Sequence, residues 1–449
     1  LRYGIPDYRL PKKLLEQEIE LVARLGVKFS FNTRLGQDIF LEQLRENYDA
    51  VFLGIGAWVS SKIGCAGEET RGVVGGIEFL RAVASREPVF MGERIAIIGG
   101  GNTAMDAART AIRLGAAEVM VLYRRSRAEM PADESEIVEA EEEGIIFKFL
   151  LAPEEIIEED GRVAAIRMQK MQLGEADASG RRRPEPIGEE EIIAVDTVIA
   201  AIGQQVDLGG LEKLELSRWN TIASDPLSFM SSMEGVFAGG DGVSGPGIAI
   251  EAIAQGSKAA QAMNAYLQGE KLPDTNSPYR MSREMRAEEL TGIDKEARIE
   301  PPAISPERRL RSFAEVKAAF TPEEALQEAG RCLECGCTAF SKCKLLNYAG
   351  KYEVKPQRLA GEIHHHSNEY HHPFLDWDTD KCILCGLCVR ICDEVMGITA
   401  LGLVNRGFDT VVMPEWEWGN DLENSLCNCC GECAAVCPTG ALSQRKRRS

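Results

Sequence analysis

Apolar positions along the chain follow two periods. After the loop Leu1–Pro11, the residues Leu14, Leu15, Ile19, Leu21, Val22 and Leu25 recur among Glu16, Glu18 and Glu20, and Gly26 closes the run. That spacing predicts a helix with one apolar face. Val27–Phe31 reads as a strand. So does Asp49–Trp58, DAVFLGIGAW, which ends in Gly54-Ile55-Gly56-Ala57. Arg94–Ile98 opens RIAIIGGG and is apolar without alternation, as a buried strand requires. A helix over Thr103–Leu114 and a strand over Glu118–Tyr123 follow. Ala164–Met171 and Ile192–Ala201 read as strands around the polar insert Gly174–Glu191, expected to be a surface hairpin or flexible loop. Asp196–Gln205, DTVIAAIGQQ, carries a strand to Gly203, and Gly235–Asp241, GVFAGGD, carries another. An alanine-rich helix covers Ile248–Leu267. Glu139–Glu143 reads as a solvated helix face. Lys271–Arg311 has no steady period and reads as a linker wrapping the surface. Thr321–Gly330 reads as a short helix, with Thr321 and Glu324 in capping-box spacing.

Composition narrows the class. A chain of 449 residues is long enough for about three domains. A net charge of −19 argues against nucleic acid and anionic membrane surfaces, and fits docking on other subunits. No apolar run of about 18 residues predicts a membrane span, and no signal peptide is visible. Of the 14 cysteines, all but Cys65 lie at Cys332 or beyond, which points to metal ligands rather than a disulfide framework. Such clusters favour a reducing cytoplasm. The chain starts at Leu1 rather than Met, as a fragment would.

The cysteines carry the strongest chemical signal. Cys382, Cys385, Cys388 and Cys392 form a C-x2-C-x2-C-x3-C run, and Cys427, Cys430, Cys433 and Cys437 repeat it before Pro438. In a two-cluster ferredoxin the fourth cysteine of each run ligates the other cluster. One [4Fe–4S] centre is therefore expected on Cys382, Cys385, Cys388 and Cys437, and the second on Cys427, Cys430, Cys433 and Cys392. A pair of zinc knuckles is the rival. Cys332, Cys335, Cys337 and Cys343 form a tighter set, able to hold a third [4Fe–4S] cluster or a structural zinc. His364, His365, His366, His371 and His372 lie between these sets and read as a structural connection, although histidine clusters also bind metal. Cys429 could replace a neighbouring ligand. Cys65 reads as a packed thiol.

The second signal is Gly99-Gly100-Gly101-Asn102-Thr103-Ala104, a G-x-G-x-x-A turn between strand and helix. It suits a pyrophosphate over a glycine turn at a helix N-terminus. The next strand ends at Tyr123-Arg124-Arg125, where arginines suit the 2′-phosphate of NADP and an acid would suit NAD. The alternative is a solvated basic turn. The small residues Gly54 and Gly56 let a ligand approach the backbone or simply pack tightly. Asp241, at a strand end before a helix, either takes ribose or ribityl hydroxyls or acts as a cap.

These motifs carry a resemblance. LRYGIPDYRLP at Leu1, IGGGNTAMDAAR at Ile98, YRRSRAEMPA at Tyr123, AIGQ at Ala201 and GVFAGGDGVSGPGIAIEAIAQG at Gly235 resemble the NADPH-oxidising small subunit of glutamate synthase and its flavoprotein relatives, bifurcating NADH-dependent ferredoxin:NADP oxidoreductase among them. KCILCGLCVRICDEVMGITALG and CGECAAVCPTGAL resemble the double-cluster ferredoxin domain of formate dehydrogenases and iron-only hydrogenases. The fold implied is α/β, two nested Rossmann-like FAD/NAD(P)-binding domains, followed by an α+β ferredoxin-like double-cluster domain. The domain bounds expected are 1–90 and 196–270 for FAD, 91–195 for NAD(P), 271–330 for a linker, 331–375 for a single-cluster segment and 376–449 for the ferredoxin. The resemblance implies FAD on Gly240 and Asp241, with the helix from Gly247 and Ile248 facing the flavin. Arg124 and Arg125 would hold the NADP phosphate, and a first FAD motif would precede Leu1. The activity implied is electron transfer between NADP(H), FAD and three [4Fe–4S] clusters. Partner redox subunits resembling NADH dehydrogenase, hydrogenase or formate dehydrogenase, or a ferredoxin, would exchange the electrons, as in a bifurcating transhydrogenase. The rivals are a glutamate synthase small subunit, which the ferredoxin domain opposes, and a non-enzymatic scaffold that only wires clusters.

Overall fold

The computed structural model describes residues 1–176, 182–270, 294–332, 343–352, 354, 355, 358, 372–415 and 425–445. The chain divides into two compact units, Leu1–Pro273 with Ile299–Gln327, and Asp274–Arg298 with Glu328–Ser449.

The first unit is built on a parallel sheet of five strands, in the order Val73–Gly75, Thr197–Ala200, Arg94–Ile98, Glu118–Tyr123 and Ile146–Phe149. Successive side chains point to opposite faces of a strand. Ile95, Ile97, Val119, Val121 and Ile199 pack under the helices Gly76–Ala84, Asn102–Arg113 and Glu134–Glu142. Ala96, Ile98, Met120, Leu122 and Val198 pack against Ile156, Val163, Ile166, Met168 and Ile193 on the other side. Those partners belong to an antiparallel sheet of Leu151–Glu159, Arg162–Ala176 and Arg182–Ala194. A strand covered on both faces has no polar side, which accounts for the unbroken apolar run RIAII.

The described parts of the polar insert, 174–176 and 182–191, are the outer strands of that antiparallel hairpin. The stretch Ile192–Ala201 is not one strand. It leaves the hairpin at Ala194 and enters the parallel sheet at Thr197. Asp196 fastens the crossing: Oδ2 accepts the Arg94 backbone N–H at 2.9 Å, and Oδ1 binds the Arg94 guanidinium at 2.9 Å. The expected domain cuts at 90/91 and 195/196 both fall inside this sheet, because Val73–Gly75 and Thr197–Ala200 hydrogen-bond into it.

A smaller parallel pair, Val51–Leu53 with Val236–Ala238, carries the helix Ala249–Gln268 through Phe237, Ala259 and Ala262. The helix predicted after Pro11 forms over Lys12–Arg24 and buries none of its residues. Val27–Phe31 is not a strand. It has no sheet partner among the described residues, and Val27, Phe29 and Phe31 are exposed.

The acidic run is a solvated face only at Glu141 and Glu142, which are exposed. Glu139 and Glu143 are buried against Arg109 and Arg113. Arg109 reaches Glu139 and Glu143 at 2.8 Å each, and Arg113 donates to Glu143 at 2.9 Å. The Tyr8 ring stacks on the Arg113 guanidinium at 4.0 Å. Arg9 binds Asp106 at 2.8 Å. Three elements far apart in sequence supply this cluster, so composition alone reads its carboxylates as exposed. In the linker, Ile304 bonds Val316, Val316 bonds Tyr8, and Arg309 is buried.

In the second unit Leu375–Trp377 pairs antiparallel with Leu442–Gln444, and Leu401–Val404 with Val411–Pro414. Short helices Leu387–Arg390 and Glu432–Ala435 follow the two cysteine loops. Thr321 and Glu324 make the predicted capping box, at 2.8 and 3.2 Å.

Candidate functional site

The glycine turn sits between the Arg94–Ile98 strand and the Asn102–Arg113 helix. Gly99 has φ +141, and a Cβ there would lie 2.2 Å from the Ala201 carbonyl oxygen. At Gly100 a Cβ would meet the Tyr123 ring at 2.7 Å. Gly101 has only Pro131 near it, so its backbone stays approachable. Ala104 is fully buried against the sheet, where a larger residue would push the helix away. Asn102 Oδ1 accepts the Asp133 N–H at 3.1 Å, which seats the segment after Pro131 beside the turn. Thr103 follows in the first helical turn, where backbone N–H groups lack helical partners.

The two arginines after Tyr123 part company. Arg124 is exposed. Arg125 is buried, and its Nε donates to the Arg182 carbonyl of the hairpin at 2.9 Å. Arg182 in turn binds Glu129 at 2.6 Å.

On the smaller sheet, Gly54 and Gly56 leave the end of Val51–Leu53, and Gly239 and Gly240 leave the end of Val236–Ala238 beside them. Gly240 has φ +69, which favours glycine, and its N–H donates to Gln255 Oε1 at 2.7 Å. Asp241 opens the following turn. Burial raises its carboxyl above the ordinary value, against the pull of the Gly247 N–H. Ile248 caps the helix Ala249–Gln268 and is exposed, with Ile250 and Ile253. Gly203, φ +135, turns the chain between Thr197–Ala200 and Gln204–Gln205.

The second unit holds two cavities lined by sulfur. Cys382, Cys385, Cys388 and Cys437 line one, with Trp377, Val412 and Leu442. Cys392, Cys427, Cys430 and Cys433 line the other, with Leu375, Met396 and Leu401. Each run of three cysteines is thus joined by the fourth cysteine of the other run. Soft thiolates in a dry, mostly aliphatic wall fit an iron–sulfur cluster. None of the described cysteines forms a disulfide. Burial pushes Cys388 up to about 11 and Cys433 up to about 12, and also raises Cys382 and Cys427. Burial acts the same way on Cys437, but N–H groups of Leu442, Thr439 and Gly440 and the Thr439 hydroxyl outweigh it and leave that thiol below its ordinary value.

A family model for pyridine nucleotide-disulphide oxidoreductases matches residues 12–256, more than half of the chain. The chain belongs to this family. A second model, the ferredoxin-like domain of NADH-quinone oxidoreductase subunit 3, matches residues 372–443 of this pyridine nucleotide-disulphide oxidoreductase. It thus joins a Rossmann-like FAD/NAD(P)-binding oxidoreductase fold to a C-terminal ferredoxin-like domain. The NADP(+)-dependent formate dehydrogenase subunit beta of Moorella thermoacetica is 42% identical over 346 residues, 75% of this chain and 49% of the relative. The NADPH-Fe(3+) oxidoreductase subunit beta of Geobacter sulfurreducens is 37% identical over 372 residues, 74% of this chain and 55% of the relative. The glutamate synthase (NADPH) small chain of Halomonas elongata is 37% identical over 284 residues, 60% of each. The chain spans about half the length of the first two relatives.

Within the third cysteine set, Cys343 caps the helix Lys344–Lys351, its Sγ accepting the Leu346 N–H at 3.4 Å, and Cys332 is exposed. Cys335 and Cys337 lie outside the described residues, as do His364, His365, His366 and His371. His372 does not merely connect metal segments. Its ring stands against Cys427 and Cys429. No spacing rule links it to a cysteine 55 residues away. The helical elements are too short or too polar to cross a membrane, and none of the described helices qualifies.

Proposed function

We propose that this chain moves electrons between NADP(H), a bound FAD and three [4Fe–4S] clusters, and exchanges them with partner redox subunits in a cytoplasmic complex. The observation that carries the reading is the pair of cavities, each completed by a cysteine of the other run, in one chain with the Gly99–Gly101 turn. When bound, the flavin would exchange a hydride with the nicotinamide and the clusters would handle its electrons singly. Hydride transfer between cofactors needs positioning rather than a protein acid or base, so no residue is assigned a catalytic role.

Gly99, Gly101, Asn102, Thr103 and Ala104 would hold the pyrophosphate at the helix N-terminus. Arg124 would read the 2′-phosphate, because it is the exposed arginine at the end of the Glu118–Tyr123 strand. Arg125 would flank the phosphate beside it, with its Nε held by the Arg182 carbonyl. Gly54, Gly56, Gly203, Gly240, Asp241, Gly247 and Ile248 would bound the flavin. Cys332, Cys335, Cys337 and Cys343 would hold the third cluster. The names of the Moorella and Geobacter relatives support an NADP-linked beta subunit, and the ferredoxin-like domain opposes a plain glutamate synthase small chain.

Anaerobically purified full-length protein should hold about twelve irons, four per cluster. NADPH should reduce the clusters faster than NADH at equal concentration. Arg124→Glu should raise the KM for NADPH roughly tenfold to hundredfold, the worth of a charged hydrogen bond at about 1.5–3 kcal/mol, and leave NADH nearly unchanged. Equal loss for both nucleotides would remove Arg124 as the phosphate reader. Zinc with only eight irons would remove the third cluster.

A further inference from the structure

The two cysteine loops share a backbone. Leu384 has φ 54 and its counterpart Cys429 has φ 59, while Gly386 has φ 71 and its counterpart Gly431 has φ 80. Their surroundings differ at one ring. Among the described residues, a buried imidazole stands against only the second loop. His372 is 2% exposed. Its Nδ1 accepts the backbone N–H groups of Phe374 and Leu375, each at 3.1 Å. Only an unprotonated ring nitrogen accepts, so the proton of the neutral ring sits on Nε2. Nε2 lies 3.6 Å from Cys427 Sγ and 3.8 Å from Cys429 Sγ.

We propose that His372 is a positioning residue whose Nε2–H donates to the Cys427 thiolate and raises the reduction potential of the cluster held by Cys392, Cys427, Cys430 and Cys433. The inference rests on the cluster assignment made above. Reduction adds negative charge to the cluster, and part of it resides on the ligating sulfurs. A fixed N–H donor therefore stabilises the reduced form more than the oxidised one, and hydrogen bonds to sulfur are a recognised lever on cluster potential. Burial strengthens the effect, since water does not compete for the sulfur. Cys427 rather than Cys429 is the recipient, because it is nearer and stands in the C-x2-C-x2-C register. Four cysteines already supply one ligand to each iron, which leaves the imidazole the role of donor.

The test is a redox titration of anaerobically purified full-length protein, read by electron paramagnetic resonance. Cys392→Ser, which removes that cluster's signal, identifies it. In H372N the side-chain oxygen keeps an acceptor for the two backbone N–H groups but places no donor on Sγ. In H372Q an N–H reaches the place of Nε2. H372N should lower the potential of the identified cluster by about 59 mV or more, a tenfold change in a one-electron couple, and leave the other cluster unmoved. H372Q should restore most of the shift, and Cys429→Ala should produce none. Parent potentials in H372N with both clusters present would overturn the proposal. So would a shift that follows Cys429→Ala instead. Loss of the cluster in both histidine variants would make His372 a ligand or a structural post, which also overturns it. A parent protein without iron–sulfur signals would fail the cluster assignment itself, before any variant is compared.

Discussion

Cys382–Cys392 and Cys427–Cys437 fold into matching loops, with left-handed backbone at Leu384 and Cys429 and again at Gly386 and Gly431. The first cavity is walled by Trp377, Ile383, Val412, Ala441 and Leu442, and the Thr439 hydroxyl stands 3.8 Å from Cys437 Sγ. The second has Cys429 in its wall, whereas the matching Leu384 of the first loop is exposed, and it has His372 at 3.6 Å from Cys427. Cysteine spacing thus sets the shape of a cradle, while residues distant in sequence set what the bound group feels. A repeated motif is no guarantee of repeated chemistry.

The largest effect should come from the crossed cysteines. Cys392→Ser should remove the cluster of the Cys427 run and spare that of the Cys382 run, and Cys437→Ser should do the reverse. Each loss is about four irons, measured by iron content and resonance spectra. If each substitution instead destroyed the cluster of its own run, the crossing would be wrong.

Removing the metal comes next. Cys388 and Cys433 are pushed by burial up to about 11 and about 12, so at neutral pH the empty cradles hold neutral thiols. Ligation must release those protons, and reconstitution with iron and sulfide should improve as pH rises from 7 to 9. Chelation should erase the circular-dichroism signal of the second unit and leave the melting of the first unchanged. A pH-independent yield would show that thiol deprotonation does not limit ligation.

The smallest effect separates the two glycines. A Cβ at Gly386 meets nothing within 4 Å, whereas one at Gly431 meets Gln444 Nε2 at 2.9 Å. Gly386→Ala should cost about 1–2 kcal/mol for a left-handed alanine. Gly431→Ala should cost somewhat more, because Gln444 must also move. Melting curves of the loaded protein would show the order, and a reversed order would mean that the loops are less alike than their backbones.

The sequence made these cradles legible because ligand spacing is local and each C-x2-C-x2-C loop closes on itself. The strand Arg94–Ile98 and its glycine turn were equally plain, since a doubly covered strand must be apolar throughout. What failed was tertiary. Glu139 and Glu143 look solvated until Arg109, Arg113 and Tyr8 arrive from elsewhere. Ile192–Ala201 reads as one strand because the switch of sheets at Asp196 leaves no break in the apolar pattern. Arg124 and Arg125 look interchangeable until the hairpin claims one of them. His372 lay within a histidine-rich tract, and only the fold brings it to a sulfur.

The exchange of Cys392 and Cys437 between the loops has a thermodynamic meaning. Neither loop owns all the atoms needed to close its own site, so each must borrow an anchor that the other holds in place. If each cradle takes a cluster as proposed, filling one would fix the helix that delivers the fourth sulfur of its neighbour and would lower the ordering cost of the second loading. Occupancy of the two cradles would then be a positively cooperative pair of equilibria.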